Sequence, residues 1–193
     1  MKPIKCDVFS TGDLSLESLR TLNGNLYVDG DADLTCCSHP VEVFGDVIIN
    51  GKLTVEQIIV HGNLECEQLD CDSAEVDGDI YASSIAEDVN TVISNNGNIF
   101  VSETIDALYV KALGGSIILS GENDSSSFIS SIKAFDDIEI NGDILEVEEI
   151  IAGNTIAVSG TIYFEDIDSC SGEHCTLCTC GSIRSKNINI NFS

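Results

Sequence analysis

The sequence predicts an all-β, single-domain, three-sided parallel β-helix (β-solenoid) of about ten coils. A phrase of glycine, a small polar residue and an aliphatic residue, with a second apolar residue two places on, recurs about every 18 residues along the 193-residue chain. Each interval holds up to three such short alternations, separated by turn residues. The period-2 alternation and the β-branched, glycine-punctuated composition exclude helices. Self-similarity at a near-constant period is typical of solenoids.

The first strand of each predicted coil begins at an aliphatic anchor, as Val47 does in Gly45-Asp46-Val47. We expect the glycine to supply backbone angles that other residues resist, and the polar residue to hydrogen-bond the turn backbone. The anchors are Val8, Leu26, Val47, Leu64, Ile80, Ile99, Ile117, Ile138, Ile156 and Ile183.

The second and third strands follow from two further apolar columns. Such short strands are stable only when each is stacked about 4.8 Å from its equivalent in the next coil. The second column is Leu14, Ala32, Leu53, Leu69, Ile85, Ile105, Ile144, Ile162 and Ile188. The third is Val41/Val43, Ile58/Val60, Ala74/Val76, Leu108/Val110 and Ile150/Ala152.

Irregular spacing bears on the handedness of the coil. Steps of five and six residues mix, and insertions are predicted near residues 35–40, 86–91, 121–131 and 165–180 of the single 1–193 domain. A left-handed hexapeptide helix requires a nearly strict step of six. The usual preference of parallel crossovers therefore favours a right-handed coil.

The charge of the chain limits its partners. With 33 acidic against 8 basic residues, the formal net charge is −25. This charge disfavours direct binding to nucleic acid or to an anionic membrane. It is typical of a solvated surface that keeps a stack of strands soluble, and it also permits an acidic decoy that mimics nucleic acid and binds a basic protein.

The cysteines and the N-terminal residues predict a cytoplasmic, reduced protein. The nine cysteines are odd in number, and Cys66 and Cys71 occupy inward positions where other coils have Val or Ile. Residues 1–12 contain no apolar run of a secretory signal peptide, and no stretch is long enough to span a bilayer.

One cluster has the composition of a metal site. Cys175 and Cys178 are spaced as a zinc chelate, and three nearby residues could complete four ligands. The alternative is a loop of unpaired or core thiols. No other cofactor is expected. The three further ligand candidates are Cys170, Cys180 and, as an alternate, His174.

Three aspartates imitate the start of a calcium loop. Asp29, Asp31 and Asp33 alternate with other residues, and Leu34 stands where a calcium loop needs glycine. We expect Ala32 and Leu34 to point inward and the aspartates to be outward neighbours without calcium.

Catalysis finds little support in the sequence. The histidines, His39, His61 and His174, are far apart in coil order. No nucleophile, base and orienting group can be assembled from such positions, so a non-enzymatic protein is predicted.

Two segments carry a family resemblance. VFGDVIINGKL at residues 43–53 and VDGDIYASSI at residues 76–85 resemble the coils of bactofilins, the polymer-forming cytoskeletal proteins of bacteria. The resemblance implies a right-handed, three-sided β-helix that assembles end to end without nucleotide. It covers residues 24 to about 112 best. The long insertions and the cysteine-rich segment depart from the family pattern.

The strand edges at the two ends of the chain differ in how open they are expected to be to pairing with another chain. Lys2, Pro3 and Lys5 would defend the first strand edge. Ile188, Ile190 and Phe192 form an alternating apolar strand with no polar cap, which predicts a self-association edge. The leading hypothesis is a structural or scaffolding solenoid that acts by self-association or surface contacts, its partner being itself or another protein. The alternative is the acidic decoy.

Overall fold

The chain folds as an all-β parallel β-solenoid of about eight turns, which confirms the predicted fold class. The computed structural model describes residues 5–16, 18–35, 39–121, 128–142, 147, 149–165, 176–179 and 183–191. Side-chain environments are described up to residue 159, Phe128 excepted. No helix occurs among the described residues.

All 18 described strands belong to one sheet, and each pairs in parallel with its equivalent in a neighbouring turn. They are β1 (Val8–Ser10), β2 (Leu14–Ser15), β3 (Thr21–Leu22), β4 (Leu26–Val28), β5 (Ala32–Asp33), β6 (Val41–Val43), β7 (Val47–Val60), β8 (Leu64–Val76), β9 (Ile80–Ser94), β10 (Ile99–Val101), β11 (Ile105–Ala112), β12 (Ile117–Leu119), β13 (Phe128–Ala134), β14 (Ile138–Ile140), β15 (Glu149–Ala152), β16 (Ile156–Glu165), β17 (Thr176–Thr179) and β18 (Ile183–Asn191).

The first side of the solenoid is built on the predicted anchors. Val47 lies in register with Leu26 on one neighbour and with Leu64 on the other. The same register runs from Val8 to Ile183 through every anchor. The anchors from Leu26 to Ile156 are fully buried, so the repeated phrase marks a core ladder.

The second and third sides follow the predicted columns with one correction, apart from Ile144, which lies outside the described residues. Leu53 stacks between Ala32 and Leu69, and Ile58 stacks between Val41 and Ala74. In β11, however, the inward pair of the third side is Val110 and Ala112, not Leu108 and Val110. Leu108 is 38% exposed, because it and Tyr109 form the outward bend between two sides.

Two cysteines are core residues, as predicted. Cys66 and Cys71 are only 5% and 7% exposed, and both thiols are free. Cys66 stacks in register with Ile49, and Cys71 stacks with Val55. Burial raises the pKa of each thiol to about 12.

The polar residue before each anchor forms a hydrogen-bonded corner ladder along the solenoid. Its side-chain oxygen accepts a bond from the backbone amide of the equivalent residue in the next turn, at 2.7–3.2 Å. The expectation that these residues bond a turn backbone is met, but the bond reaches across turns. The ladder comprises Asp7, Asn25, Asp46, Asn63, Asp79, Asn98, Ser116, Asp137 and Thr155.

The corner glycines are required for space and not for their backbone angles. A Cβ built on Gly62 would lie 2.7 Å from the carbonyl oxygen of Gly45, and one on Gly78 would lie 2.8 Å from that of Gly62. Neither glycine has φ in the left-handed region. The expectation that these glycines supply unusual angles is therefore wrong, because successive corners simply approach too closely for a side chain.

The predicted insertion at residues 86–91 is described in full, and it appears as a register shift between β8 and β9. Ile85 is in register with Leu69, but the next paired residue, Thr91, faces Ser73. Asp88 in this bend has φ of 67°. The other three predicted insertions lie partly outside the described residues. The right-handed sense, the count of ten coils and the domain limits stay predictions.

Candidate interaction surface

A column of mostly apolar side chains runs along the outside of the first side. The residue after each anchor from Val8 to Ile138 points away from the core, and the parallel register stacks these residues directly above one another. We call this set the outer column: Phe9, Tyr27, Ile48, Glu65, Tyr81, Phe100, Ile118 and Glu139.

Two aromatic pairs dominate the outer column. The rings of Phe9 and Tyr27 stack with centroids 4.9 Å apart, and those of Tyr81 and Phe100 stack at 4.7 Å. Phe9 is 71% exposed and Tyr81 41% exposed. Each ring of a pair therefore covers one face of its neighbour. Exposed apolar strips bordered by polar residues are typical of interaction sites.

An open groove with a volume of about 370 Å³ follows the second aromatic pair. Glu65, Tyr81, Phe100 and Ile118 line its outer-column wall. Its lining contains no histidine, lysine or arginine. Its acidic lining residue is Glu65, and the lining offers an anion no cationic side chain.

Acidic and neutral polar residues border the outer column. On one edge lies the corner ladder, where Asp79 also accepts a 3.2 Å hydrogen bond from the Tyr81 hydroxyl. Partial burial and the nearby Asp79 raise the pKa of Tyr81. On the other edge, Asp29 accepts a bond from the Asn50 amide at 3.0 Å, and Glu67 is exposed. The first side is thus an apolar strip with negative margins.

His61 has partners that sequence alone does not indicate. Its ring stacks on Phe44 at 4.5 Å, Nδ1 lies 2.8 Å from Asp77 Oδ2, and Nε2 lies 3.2 Å from Glu42 Oε1. The hydrogen bond to Asp77, which has the largest effect, and the hydrogen bond to Glu42 raise the pKa of His61. Asp77 also accepts a bond from Asn95, and these bonds lower the pKa of Asp77. Glu42 and Asp77 belong to the turns on either side of His61, so the cluster ties three turns together.

A second exposed patch lies on the third side. Lys111 and Lys133 are neighbours in register, and the Lys111 ammonium lies 4.9 Å from the centre of the Tyr109 ring. Lys133 pairs with Glu149 at 2.7 Å. We call this set the lysine patch: Leu108, Tyr109, Lys111, Leu113, Lys133 and Phe135.

The predicted zinc ligands fall mostly outside the described residues. Cys170, His174, Cys175 and Cys180 lie there, whereas Cys178 is in β17, opposite Ile151 in register. Within the described part of the chain, no group of His, Cys, Asp and Glu is arranged to hold a metal ion. Zinc binding stays a prediction.

The predicted self-association edge is described in part. Ile188 and Ile190 belong to β18, in register with Ile162 and Phe164 of β16. Phe192 lies outside the described residues. The role of this strand as an association edge stays a prediction.

The three aspartates that imitate a calcium loop are engaged within the fold. Asp31 accepts the Lys52 amide at 2.8 Å, and Asp33 accepts both the amide and the hydroxyl of Thr35. Ala32 and Leu34 are 1% and 0% exposed, which confirms that they point inward.

Sequence patterns alone miss the outer column, although a signal for it exists. Its members are the residues that directly follow the anchors, so aligning that position coil by coil brings the four aromatics together.

The chain matches no protein-family model, no curated protein and no solved structure. No helix in the described residues is long and apolar enough to cross a membrane.

Proposed function

We propose that the protein is a non-enzymatic structural scaffold, a rod that acts by self-association and surface contacts. The observation that carries this proposal is the outer column, a mostly apolar strip with acidic and neutral polar residues along its borders. Complete burial of a fully exposed Ile or Phe side chain contributes about 1.5–3 kcal/mol, and the half-buried Tyr27, Ile48, Phe100 and Ile118 contribute part of that when covered. A strip of such side chains at a spacing of about 4.8 Å gives a rigid partner surface that needs little ordering on binding.

Two further features of the proposal come from the sequence. Ile188, Ile190 and Phe192 would add an end contact, and end-to-end polymerisation would be the bactofilin-like form of this function. The partner is then another copy of the chain or a second protein, in the reducing environment of the cytoplasm, with no cofactor.

Sedimentation velocity over a wide concentration range, with electron microscopy of the same samples, tests the proposal. We expect concentration-dependent oligomers or filaments. Ile48→Ser should weaken association, whereas Ile59→Ser should not, because both residues point outward from β7 but only Ile48 belongs to the outer column. A strict monomer at every concentration would contradict self-association.

An acidic decoy that binds a basic protein is the second candidate. It is favoured by the placement of the charge, since no described Asp or Glu is buried. A pull-down with a basic partner should then lose yield steeply as salt is added. Capture that is insensitive to salt would count against this candidate.

A further inference from the structure

We infer that the lysine patch of one copy docks against the outer column of the next copy. The inference rests on the proposed self-association and specifies its geometry. Contact would join two different surfaces, on the third side of one rod and the first side of another.

The lysine patch concentrates exposed apolar surface. Four of the seven large hydrophobic side chains that are exposed among the described residues belong to it, at 38% to 65% exposure. Phe135 occupies the position of Leu113 one turn further along. The Leu113 backbone amide donates to the Ser94 carbonyl, and the Phe135 amide donates in the same way to the Ala112 carbonyl. The four side chains are Leu108, Tyr109, Leu113 and Phe135.

The charge of the lysine patch is opposite to that of its surroundings. Lys111 and Lys133 stand side by side in a chain with only 8 basic residues and a net charge of −25. Glu149 offsets Lys133, and Lys111 lies over the Tyr109 ring. A cation over an aromatic ring keeps its charge, so Lys111 can attract a carboxylate on a partner.

The outer column offers the complementary surface. It presents apolar rings together with Glu65 and Glu139, and its borders carry Asp79 and Glu67. Contact between two outer columns would bring these carboxylates together, and contact between two lysine patches would oppose the lysines. Like-charge juxtaposition disfavours both symmetric arrangements, whereas patch against column pairs opposite charges.

The consequence for assembly follows from symmetry. A contact between two different surfaces leaves one of each free, so copies add without limit unless the rotation closes a ring. The few residues of the patch are far fewer than the roughly 20–30 per side of a stable interface. Each contact is therefore weak, and assembly is expected to depend steeply on concentration.

Charge reversal with cross-complementation tests this geometry by sedimentation velocity. Lys111→Glu alone and Glu65→Lys alone should each associate about tenfold more weakly than the wild type, since each opposes like charges. An equimolar mixture should recover association, because every contact between the two variants pairs opposite charges. Arg20→Glu makes the same charge change at an exposed residue of the first turn and should leave association unchanged.

The outcomes separate this inference from the proposed function. A wild type that associates while Lys111→Glu associates equally well overturns the docking geometry and leaves self-association standing. Failure of the mixture to recover association overturns the geometry as well. A wild type that never associates overturns both. If Lys111→Glu does not keep the wild-type circular dichroism, Leu113→Ser replaces it, since that side chain is 54% exposed, and unchanged association then overturns the inference.

Discussion

The side-chain oxygen of Asn25 accepts a 2.8 Å hydrogen bond from the backbone amide of Asp46, one turn further along the solenoid. Asp46 in turn accepts the amide of Asn63 at the same distance. The residues that the sequence predicts as turn formers thus fasten one turn to the next. Their side chains satisfy backbone amides at a corner where the strand ladder is interrupted.

Removing one link of the corner ladder should destabilise the rod. Asn63→Ala deletes the acceptor of the Asp79 amide and should lower the free energy of unfolding by about 0.5–1.5 kcal/mol. Asn50→Ala is the control, because the Asn50 side chain bonds the Asp29 carboxylate and not a corner amide. Urea unfolding followed by circular dichroism measures both, and equal losses would contradict a special role for the ladder.

Adding one methyl group at a corner should be costly where the turns approach closely. Gly62→Ala would place a Cβ 2.7 Å from the Gly45 carbonyl oxygen and should destabilise the fold by about 1–3 kcal/mol, as overpacking does. Gly12→Ala is the matched control, since nothing lies within 4 Å of the position its methyl group would take. Thermal unfolding should separate the two variants. Equal tolerance would refute the close-approach explanation.

Stability should depend on pH through His61. Its pKa in the folded protein is raised above the ordinary value of 6.5 by Asp77 and Glu42. The stabilisation is therefore fully present below about pH 6.5 and is lost as the pH rises through the higher folded-state value. The urea midpoint of the wild type should exceed that of His61→Gln most at the acidic end of this window.

Nuclear magnetic resonance titration of His61 checks the cause directly. Asp77→Asn should bring its pKa back toward 6.5, because the largest contribution is the bond to Asp77. The side-chain amide of Asn95 donates to both Asp77 and Glu75, and the Glu75 carboxylate is unchanged in this variant. A pKa that does not fall in Asp77→Asn would show that this pair is not the cause.

Cysteine reactivity should follow burial. Burial raises the pKa of Cys66 and Cys71 to about 12, so few thiolates form near neutral pH and the alkylating reagent has no access. Cys6 is exposed. Brief iodoacetamide treatment followed by peptide mass spectrometry should label Cys6 in the folded protein, and Cys66 and Cys71 only in urea. Rapid labelling of Cys66 in the folded state would contradict its place in the core.

The core could be predicted because its signal is repeated. The buried side chains from Leu26 to Ile156 are apolar apart from Ser94 and Ser131, so the period and the two-residue alternation identify the ladders without any coordinate. The pattern misplaces Leu108 because the bend before Val110 takes two outward residues. An apolar residue at a bend cannot be told from one in a strand by alternation alone. Leu108 is thus an apolar residue on the surface and not in the core.

The candidate surface was harder to predict because outward positions obey no common pattern. Tyr27 and Glu65 occupy equivalent places, and only the register joins Tyr81 to Phe100 across a full turn. The partners of His61 depend on the same register, since Glu42 and Asp77 belong to the turns on either side of it. In the linear sequence such residues are scattered.

The corner ladder makes the turn an interchangeable unit. Asp46 and Asn63 both accept the next corner amide through Oδ1, so excision of residues 47–63 would place Asp46 directly before Leu64, where its side chain could accept the Asp79 amide in place of Asn63. Duplication would insert a turn by the same logic. The rod is in this sense a molecular ruler, graduated in steps of about 4.8 Å, whose length could change by whole turns without redesign of its core.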